Sequence, residues 1–513
     1  MAVNKMLLPD VSLVRFASSE GAISDPGLCN APGLLEKLTT CGGLTVGKMN
    51  GTSEAIIDLL KGWPNPALLP VAQIKTASSI ALSTPEISTP ALLYGPDVGY
   101  EPLRECIANW LTQFYQPPTP IPAERICITG GASQNVACIL QVFSDPIYTR
   151  NVWMVSPTYF LAMRIFEDSG FHGRLRSVPE DEQGVDIEYL RKALRKSEEK
   201  AIAEGNTKPT LKPVRPWSKI YRHFIYAVPT FSNPSSITMS LERRQQLVRL
   251  AREYDACIIA DDVYDQLQWP ASTTAAQSST EHAILPRIVD IDRTLDGGTD
   301  RKGADGFGNA VSNGTFSKIV GPGCRTGWSE GTKKFAWGNS QVGSTRSGGA
   351  PSQLTSTFMS NLLESGDLQR HIFQTLQPTY ARRYRIMMAA IEEYLIPLGV
   401  TLPQTSRDMV GGYFIWLTLP KPLSAKGVAM LAKKDGNLVI APGNIFAVTS
   451  DKKPAGLSRQ VRVCFSWEQE EILAEGIRRL GWVISSIQTS RGHHKKVKTR
   501  PPGDIGSLVD QYR

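Results

Sequence analysis

Ser312-Asn313-Gly314-Thr315-Phe316-Ser317-Lys318-Ile319-Val320-Gly321-Pro322-Gly323-Cys324-Arg325-Thr326-Gly327-Trp328 is the stretch on which the reading of this chain turns. One lysine sits among hydroxyls and glycines, and an arginine follows seven residues later in a Gly/Pro turn. A lysine in a polar, glycine-rich loop is ordinarily a solvated charge. Hydroxyls, a lysine and a second cation this close together suit a phosphorylated aldehyde instead. The amine condenses with the carbonyl, and Thr315, Ser317 and Arg325 hold the phosphate. The rest of the chain decides between the two readings.

Upstream, short apolar runs alternate with helical patterns, and each run stops at a polar cluster. Arg125–Thr129 reads as a strand that ends at Gly130-Gly131-Ala132-Ser133-Gln134, with a helix through Val142 behind it. Asn151–Val155 ends at Pro157-Thr158-Tyr159-Phe160, and Phe224–Pro229 ends at Ser232-Asn233-Pro234. After a helix from Leu241 to Tyr254, the run Cys257-Ile258-Ile259-Ala260 ends at Asp261-Asp262-Val263-Tyr264. Runs apolar on both faces and alternating with helices predict an α/β fold with a mostly parallel sheet sandwiched by helices. In such a sheet, ligands bind beyond the carboxyl ends of the strands, where all these clusters fall. Residues 199–222 and 270–309 break the rhythm with Pro, Gly, Ser and charge, and read as surface insertions.

Downstream of Trp328 helical patterns run from Pro351 to Leu395. Gly411–Leu417, Val439–Gly443 and Val461–Phe465 follow, with a helix over Glu468–Leu480. This is the pattern of a smaller α+β domain. Before the large domain, Ile56–Lys61 reads as a short strand running into the turn Gly62-Trp63-Pro64-Asn65-Pro66, where Gly62 permits close approach of the backbone to a ligand. The expected organisation is an arm over 1–48, a segment over 49–75 that joins the small domain, a large domain over 76–345, the small domain over 346–490, and a basic tail over 491–513.

Composition narrows the function classes. At 513 residues, 41% hydrophobic and 20% charged, the chain has the balance of a large globular enzyme. No apolar run is long enough to span a bilayer, and Met1–Phe16 is too weak for a signal peptide. The net charge of +8 includes five cations packed between Arg491 and Arg500, without interleaved aromatics; this reads as a solvated tail and not a nucleic-acid site. The eight cysteines form no Cys-x-x-Cys pair, so no metal site is expected. Reduced thiols and the lack of a secretion signal point to the cytoplasm.

The strand ends carry chemistry of their own. Backbone N–H groups and a hydroxyl at Gly130–Gln134, opening a helix, suit a phosphate. Tyr159 can stack on an aromatic ring, and Asn233 can donate to a phenolate oxygen. Asp261, at the end of an apolar strand, needs a cationic partner. A protonated pyridine nitrogen supplies one, with an attraction of roughly 4 kcal/mol at contact in an intermediate dielectric. Tyr264 reaches the same ring's oxygen.

Taken in order, Gly62–Pro66, Tyr94-Gly95-Pro96-Asp97-Val98-Gly99-Tyr100, Gly130–Gln134, Pro157–Phe160, Asn233-Pro234, Asp261–Tyr264, Thr315–Lys318 and Val461-Arg462-Val463-Cys464-Phe465 resemble the class I/II, fold-type I aminotransferases that use pyridoxal 5′-phosphate. The resemblance covers about residues 50–485 and is nearest to the aminoadipate/kynurenine and valine–pyruvate branch and its fungal relatives. It implies amino-group transfer from an amino acid to a 2-oxo acid by a ping-pong mechanism. Lys318 is then the Schiff-base lysine and proton shuttle, Asp261 keeps the ring nitrogen protonated, and Tyr159 stacks on the ring. Asn233 and Tyr264 hold the ring hydroxyl, and Ser133, Thr315, Ser317 and Arg325 the phosphate. Tyr94 reaches the phosphate of a partner subunit, which implies a homodimer. Gly62 and Asn233 border the substrate, whose α-carboxylate Arg462 grips with its fork. The usual Asn-Pro-Thr-Gly is here Asn233-Pro234-Ser235-Ser236, and Ala132 stands where many relatives carry a hydroxyl. Which of Ala132, Ser133 and Gln134 binds through its side chain is left open. Two rival readings use the same scaffold: a carbon–sulfur β-lyase, and a ligand-sensing transcription regulator, against which the short Gly/Ser-rich lead of about 48 residues argues.

Overall fold

The computed structural model describes residues 55–272, 280–403, 408–449 and 456–493. The arm over 1–48 lies outside the described residues. The last helix, Leu473–His493, runs three residues into the stretch read as tail, and the remainder of that tail is outside them too.

Among the described residues there are fifteen strands: β1 (Ile57–Asp58), β2 (Ile126–Thr129), β3 (Asn151–Ser156), β4 (Leu175–Asp181), β5 (Gly184–Val185), β6 (His223–Ala227), β7 (Ala256–Asp261), β8 (Gln268–Pro270), β9 (Ala310–Thr315), β10 (Gly327–Glu330), β11 (Met409–Gly411), β12 (Phe414–Thr418), β13 (Leu438–Val439), β14 (Ala441–Pro442) and β15 (Gln460–Cys464). Eight make one sheet in the order β2-β10-β9-β7-β6-β3-β4-β5. The pairs β3·β4, β3·β6, β6·β7 and β7·β9 are parallel, while β10 runs antiparallel to both β9 and β2. The reversal at β10 leaves β2 pointing the same way as β9. The carboxyl ends of β2, β3, β6, β7 and β9 therefore share one edge.

The two-residue period of each central strand splits its side chains between two cores. Val152, Met154, Phe224, Tyr226, Cys257 and Ile259 pack on one face against the helices Ala132–Phe143 and Phe160–Phe166. Trp153, Val155, Ile225, Ala227, Ile258 and Ala260 pack on the other against Ile187–Ala203 and Leu241–Glu253. Burying each large apolar side chain stabilises by about 1.5–3 kcal/mol, so helices on both faces are the arrangement such strands demand.

The stretch 270–309 is only partly the surface insertion its composition suggests. It contains the helix Ile288–Thr294, with Ile288, Val289 and Ile291 buried, and Arg287 wholly buried between Asp290 and Glu330. Arg287, Asp290 and Asp292 are internal ion-pair partners, which composition does not distinguish from solvated charges. The stretch 199–222 is likewise cut at both ends: Ile187–Ala203 extends into it as helix, and Ile220 and Tyr221 are buried.

The C-terminal region builds an antiparallel sheet, β12-β15-β14, covered by the helices Gln377–Tyr394, Ala425–Asp435 and Leu473–His493. The segment after residue 55 belongs with it: β1 pairs in parallel with β13, Ile57 opposite Leu438. Asn65 is tied to the Trp467 and Glu468 carbonyls. No helix among the described residues is long and apolar enough to cross a membrane, and no His/Cys/Asp/Glu cluster among them could hold a metal.

Candidate active site

A cavity of about 640 Å³ lies between the carboxyl edge of the large sheet and the β12-β15-β14 sheet. Its wall includes Gly62, Ala132, Ser133, Tyr159, Asn233, Asp261, Tyr264, Thr315, Ser317, Lys318, Arg325 and Arg462. Twelve residues expected from seven separate stretches of sequence thus meet in one chamber. Two do not reach it. Gln134 turns back on its own helix, where Oε1 accepts from the Gly130 N–H and Nε2 donates to Cys138 Sγ, both at 2.9 Å. Tyr94 stands on the surface, 89% exposed.

The lysine is placed by the end of β9. Thr315 caps the short turn Phe316–Lys318, its Oγ1 accepting from the Ser317 N–H at 3.1 Å while its hydroxyl donates to Ser317 Oγ at 2.9 Å. Lys318 extends into the cavity between the rings of Tyr264 and Tyr413 and donates to the Gly62 carbonyl at 2.9 Å. Burial, seconded by the Arg462 charge, draws its amine down to about 8 against the pull of Cys464 and Asp261. A Cβ at residue 62 would lie 2.7 Å from the Phe414 ring, so only glycine brings this carbonyl so close.

Asp261 closes β7 on the cavity floor and is 7% exposed. Tyr226 Oη donates to its Oδ2 at 2.7 Å and Asn313 Nδ2 to its Oδ1 at 2.9 Å. Burial nevertheless pushes the carboxyl up to about 6, outweighing both donors and Lys318. It has donors but no bonded cation among the described residues. Its neighbour Asp262 points away, to Ser312. Neither Tyr226 nor Asn313 was anticipated. Only part of the signal was available: Tyr226 lies in the largely apolar strand β6, but β9 carries Ser312, Asn313, Gly314 and Thr315 together, and only the pairing register sets Asn313 directly opposite Asp261.

At the other end of the cavity, the helix Ala132–Phe143 begins at Gly131 without a side-chain cap, leaving its first N–H groups free for an anion. Ser133, Thr315 and Ser317 add hydroxyls. Arg325 anchors this end by donating to the carbonyls of Gly130 (2.7 Å) and Pro322 (3.0 Å). Gly131 has φ +99°, and a Cβ there would sit 3.0 Å from the Arg325 guanidinium.

Arg462 projects from β15, 2% exposed, with no acidic partner among the described residues. Its Nη1 donates to Asn233 Oδ1 at 2.7 Å and its Nη2 to the Leu60 carbonyl at 2.6 Å. Its Nε has no hydrogen-bond partner. The guanidinium lies 3.9 Å from the centre of the Phe414 ring and 4.9 Å from that of Phe446, and burial depresses its pKa from the ordinary value. Tyr159 is pushed up to about 12 by burial and the Asp261 charge, so it remains a neutral ring. Sequence reading also passed over the mouth, where Lys61 lies 4.0 Å from the Trp467 ring and 4.4 Å from Trp63.

An amine, an acid, an anion cup and a guanidinium without an acidic partner among the described residues occupy one chamber. The chain is 35% identical over 448 residues to an uncharacterized protein of Saccharomyces cerevisiae, covering 84% of this chain and 97% of that one. It is 28% identical to aromatic-amino-acid aminotransferase 1 of Thermococcus litoralis, covering 85% and 89%. Its fold is similar to that of the α-aminoadipate aminotransferase of Thermus thermophilus, solved with N-(5′-phosphopyridoxyl)-L-leucine: TM-score 0.65, 25% identity, 85% and 93% covered. Asp261, lacking a cation, and the uncapped helix with Arg325 fit a protonated pyridine and a phosphate at opposite ends of one ring. Because residues 65–480 match the family described as aminotransferase class I and II, the chain belongs to that family, and it is a fold-type I transaminase whose cofactor is pyridoxal 5′-phosphate.

Proposed function

We propose that this enzyme moves an α-amino group from an amino acid to a 2-oxo acid in two half-reactions at a single site. The observation that carries the reading is Arg462: a buried guanidinium with no acid, an unpaired Nε and a neighbouring Asn233, facing the chamber that holds Lys318 and Asp261. A buried cation of this kind is costly unless an anion completes it. A substrate α-carboxylate does so with a charge-assisted fork.

When bound, pyridoxal phosphate supplies an electron sink for the pair left at the substrate's Cα. Lys318 would hold the cofactor through Nζ, and the same Nζ, once free, would carry the proton from the substrate's Cα. An amine near 8 suits both taking up and giving back a proton. Asp261 would face the ring nitrogen, Tyr159 would stack on the ring, and Asn233 and Tyr264 would hold its oxygen. Ser133, Thr315, Ser317 and Arg325, with the backbone of 132–134, would hold the phosphate.

The same proposal includes a homodimer, a division of the chain at 49–75, 76–345 and 346–490, and a cytoplasmic location. Val71, Leu92, Leu93 and Tyr94, on and beside the helices Val71–Ser83 and Pro85–Ala91, are apolar or aromatic yet exposed, which supports a partner subunit there. The pairing of β1 with β13 supports the first division, and free Cys106, Cys127, Cys138, Cys257, Cys324 and Cys464 support a reducing compartment.

The test is a half-reaction screen. Holoenzyme mixed with single amino acids should convert the cofactor's aldehyde-form absorbance to the amine form, and a 2-oxo acid should restore it. Release of ammonia and a 2-oxo acid from a β-substituted amino acid, with no amine form accumulating, would overturn transamination in favour of β-elimination.

A further inference from the structure

Asp261 is not the end of its own hydrogen-bond network. Asn339 Nδ2 donates to Asn135 Oδ1 at 2.9 Å, Asn135 Nδ2 to Asn313 Oδ1 at 2.8 Å, and Asn313 Nδ2 to Asp261 Oδ1 at 2.9 Å. The three amides come from the helix Lys333–Ser340, the first turn of the helix Ala132–Phe143, and β9. All are buried, and only Asn313 reaches the cavity wall.

The direction of this line is dictated from one end. An ionised carboxylate only accepts, so Asn313 must present its amino group to Asp261 and its carbonyl to Asn135. Asn135 must then donate to Asn313 and accept from Asn339. The far end shows the consequence: Asn339 Oδ1 is buried without a hydrogen-bond partner. Reversing all three amides would set Asn313 Oδ1 against both the Asp261 carboxylate and the Ala132 carbonyl, to which Asn313 Nδ2 also donates at 3.2 Å, and would leave Asn339 Nδ2 over in place of its Oδ1. A buried polar group without a partner is unfavourable in either orientation, so the head of the line, Asp261 together with the Ala132 carbonyl, sets its direction. Successive amides aligned in this sense polarise one another in a low-dielectric interior.

We infer that Asn313, Asn135 and Asn339 are positioning residues: an amide relay that aims Asp261 at the cofactor's ring nitrogen and favours its ionised state from as far away as Asn339. Asn135 lies two residues beyond Ser133, so the relay also ties the phosphate turn to the acid that faces the other end of the ring. The inference rests on the reading that Asp261 meets the ring nitrogen.

The experiment measures affinity, not turnover. Cofactor is removed, and the protein is titrated with pyridoxal phosphate and with its 1-deaza analogue, in which carbon replaces the ring nitrogen. Wild type should prefer the natural cofactor. Losing a hydrogen bond to a charged group predicts that Asn313→Leu cuts that preference by about tenfold or more, Asn135→Leu by less, and Asn339→Ala by roughly twofold to threefold. Affinity for the deaza analogue should change little. A merely structural role would weaken both ligands alike and leave the ratio untouched, which would overturn the relay. If Asn313→Leu does not fold, Asn339→Ala, outside the cavity, is read by the same ratio. A wild-type ratio near one would overturn the reading of Asp261 itself, and the relay with it. A wild-type preference retained by all three variants would overturn the relay alone.

Discussion

The two buried charges of the cavity, Asp261 and Arg462, both lack an ion-pair partner, yet they are held in opposite ways. Asp261 belongs to the large sheet, and its donors are side chains of neighbouring strands, Tyr226 on β6 and Asn313 on β9. Arg462 belongs to the small sheet; one of its bonds goes to Asn233 of a loop and another to the Leu60 carbonyl, while Nε is left over. Rigid side-chain partners suit a ligand that stays through every cycle. A backbone carbonyl can be traded for a carboxylate, which suits a ligand that arrives and leaves. Lys318 sits between the two and is currently bonded to another carbonyl of the same segment, that of Gly62.

The sharpest way to break this comparison is at the residue the two ends share. Lys318→Met should lower turnover by roughly 10⁴-fold or more, through the loss of both the covalent attachment and the proton carrier. Borohydride should fix cofactor to Lys318 in wild type, and an adduct mapped to Lys333 or Lys334 would sink the assignment. Asp261→Asn comes next. Removing a preorganised charge should raise the barrier by about 3–4 kcal/mol, seen as slower single-turnover conversion with cofactor still held at the phosphate end. Activity within about threefold of wild type would refute the role; Asp262, turned away to Ser312, could not take it over.

A third effect concerns stability without cofactor. Lys318 is depressed from 10.5 to about 8, so between those values the unfolded chain carries more protons than the folded one. Its destabilisation is full below pH 8 and fades as pH rises toward 10.5. Cofactor-free Lys318→Met should therefore be more stable than wild type by on the order of 3 kcal/mol at pH 7, and the gap should narrow above pH 8 in denaturant titrations. A gap constant with pH would show that the amine is not held in a depressed state.

The smallest effect sharpens the contrast directly. Arg462→Lys keeps the charge and loses the fork. It should weaken amino acid and 2-oxo acid binding alike by about 1.5–3 kcal/mol, with cofactor absorbance unchanged. Amines without a carboxylate should react poorly with wild type and be little altered. If the variant unfolds, or amines suffer equally, Arg462 is structural and the exchange half of the comparison fails.

Much of this molecule was legible in the chain because the relevant signals are local. Apolar runs such as Cys257–Ala260, each closed by a polar cluster, announce a strand and its carboxyl end, and a parallel sheet gathers those ends on one edge. Residues expected on that ground, such as Ser133, Tyr159, Asn233, Asp261 and Lys318, do line the chamber, together with Gly62 and Arg462, which the family resemblance pointed to. The exceptions are instructive. Gln134 satisfies its amide within its own turn, and whether a helical side chain turns inward or backward depends on neighbours that the local pattern omits. The helix Ile288–Thr294 looked like surface because its charges are paired to partners as distant as Glu330.

The sequence by itself determined the fold class, from the alternation of apolar runs and helical patterns, and it pointed to the lysine, the acid at the strand end and the helix-opening turn that line the chamber, since each of these is written in residues a few positions apart. Only the tertiary structure decided what those groups touch. Arg462 meets Asn233 across 229 residues and Leu60 across 402, and Asn313 joins Asp261 to Asn135 and Asn339. A buried polar side chain signals that a partner is needed, because leaving it unpaired is costly. Which partner it finds is settled by the register of strands and the packing of helices, and those are set by the whole core at once.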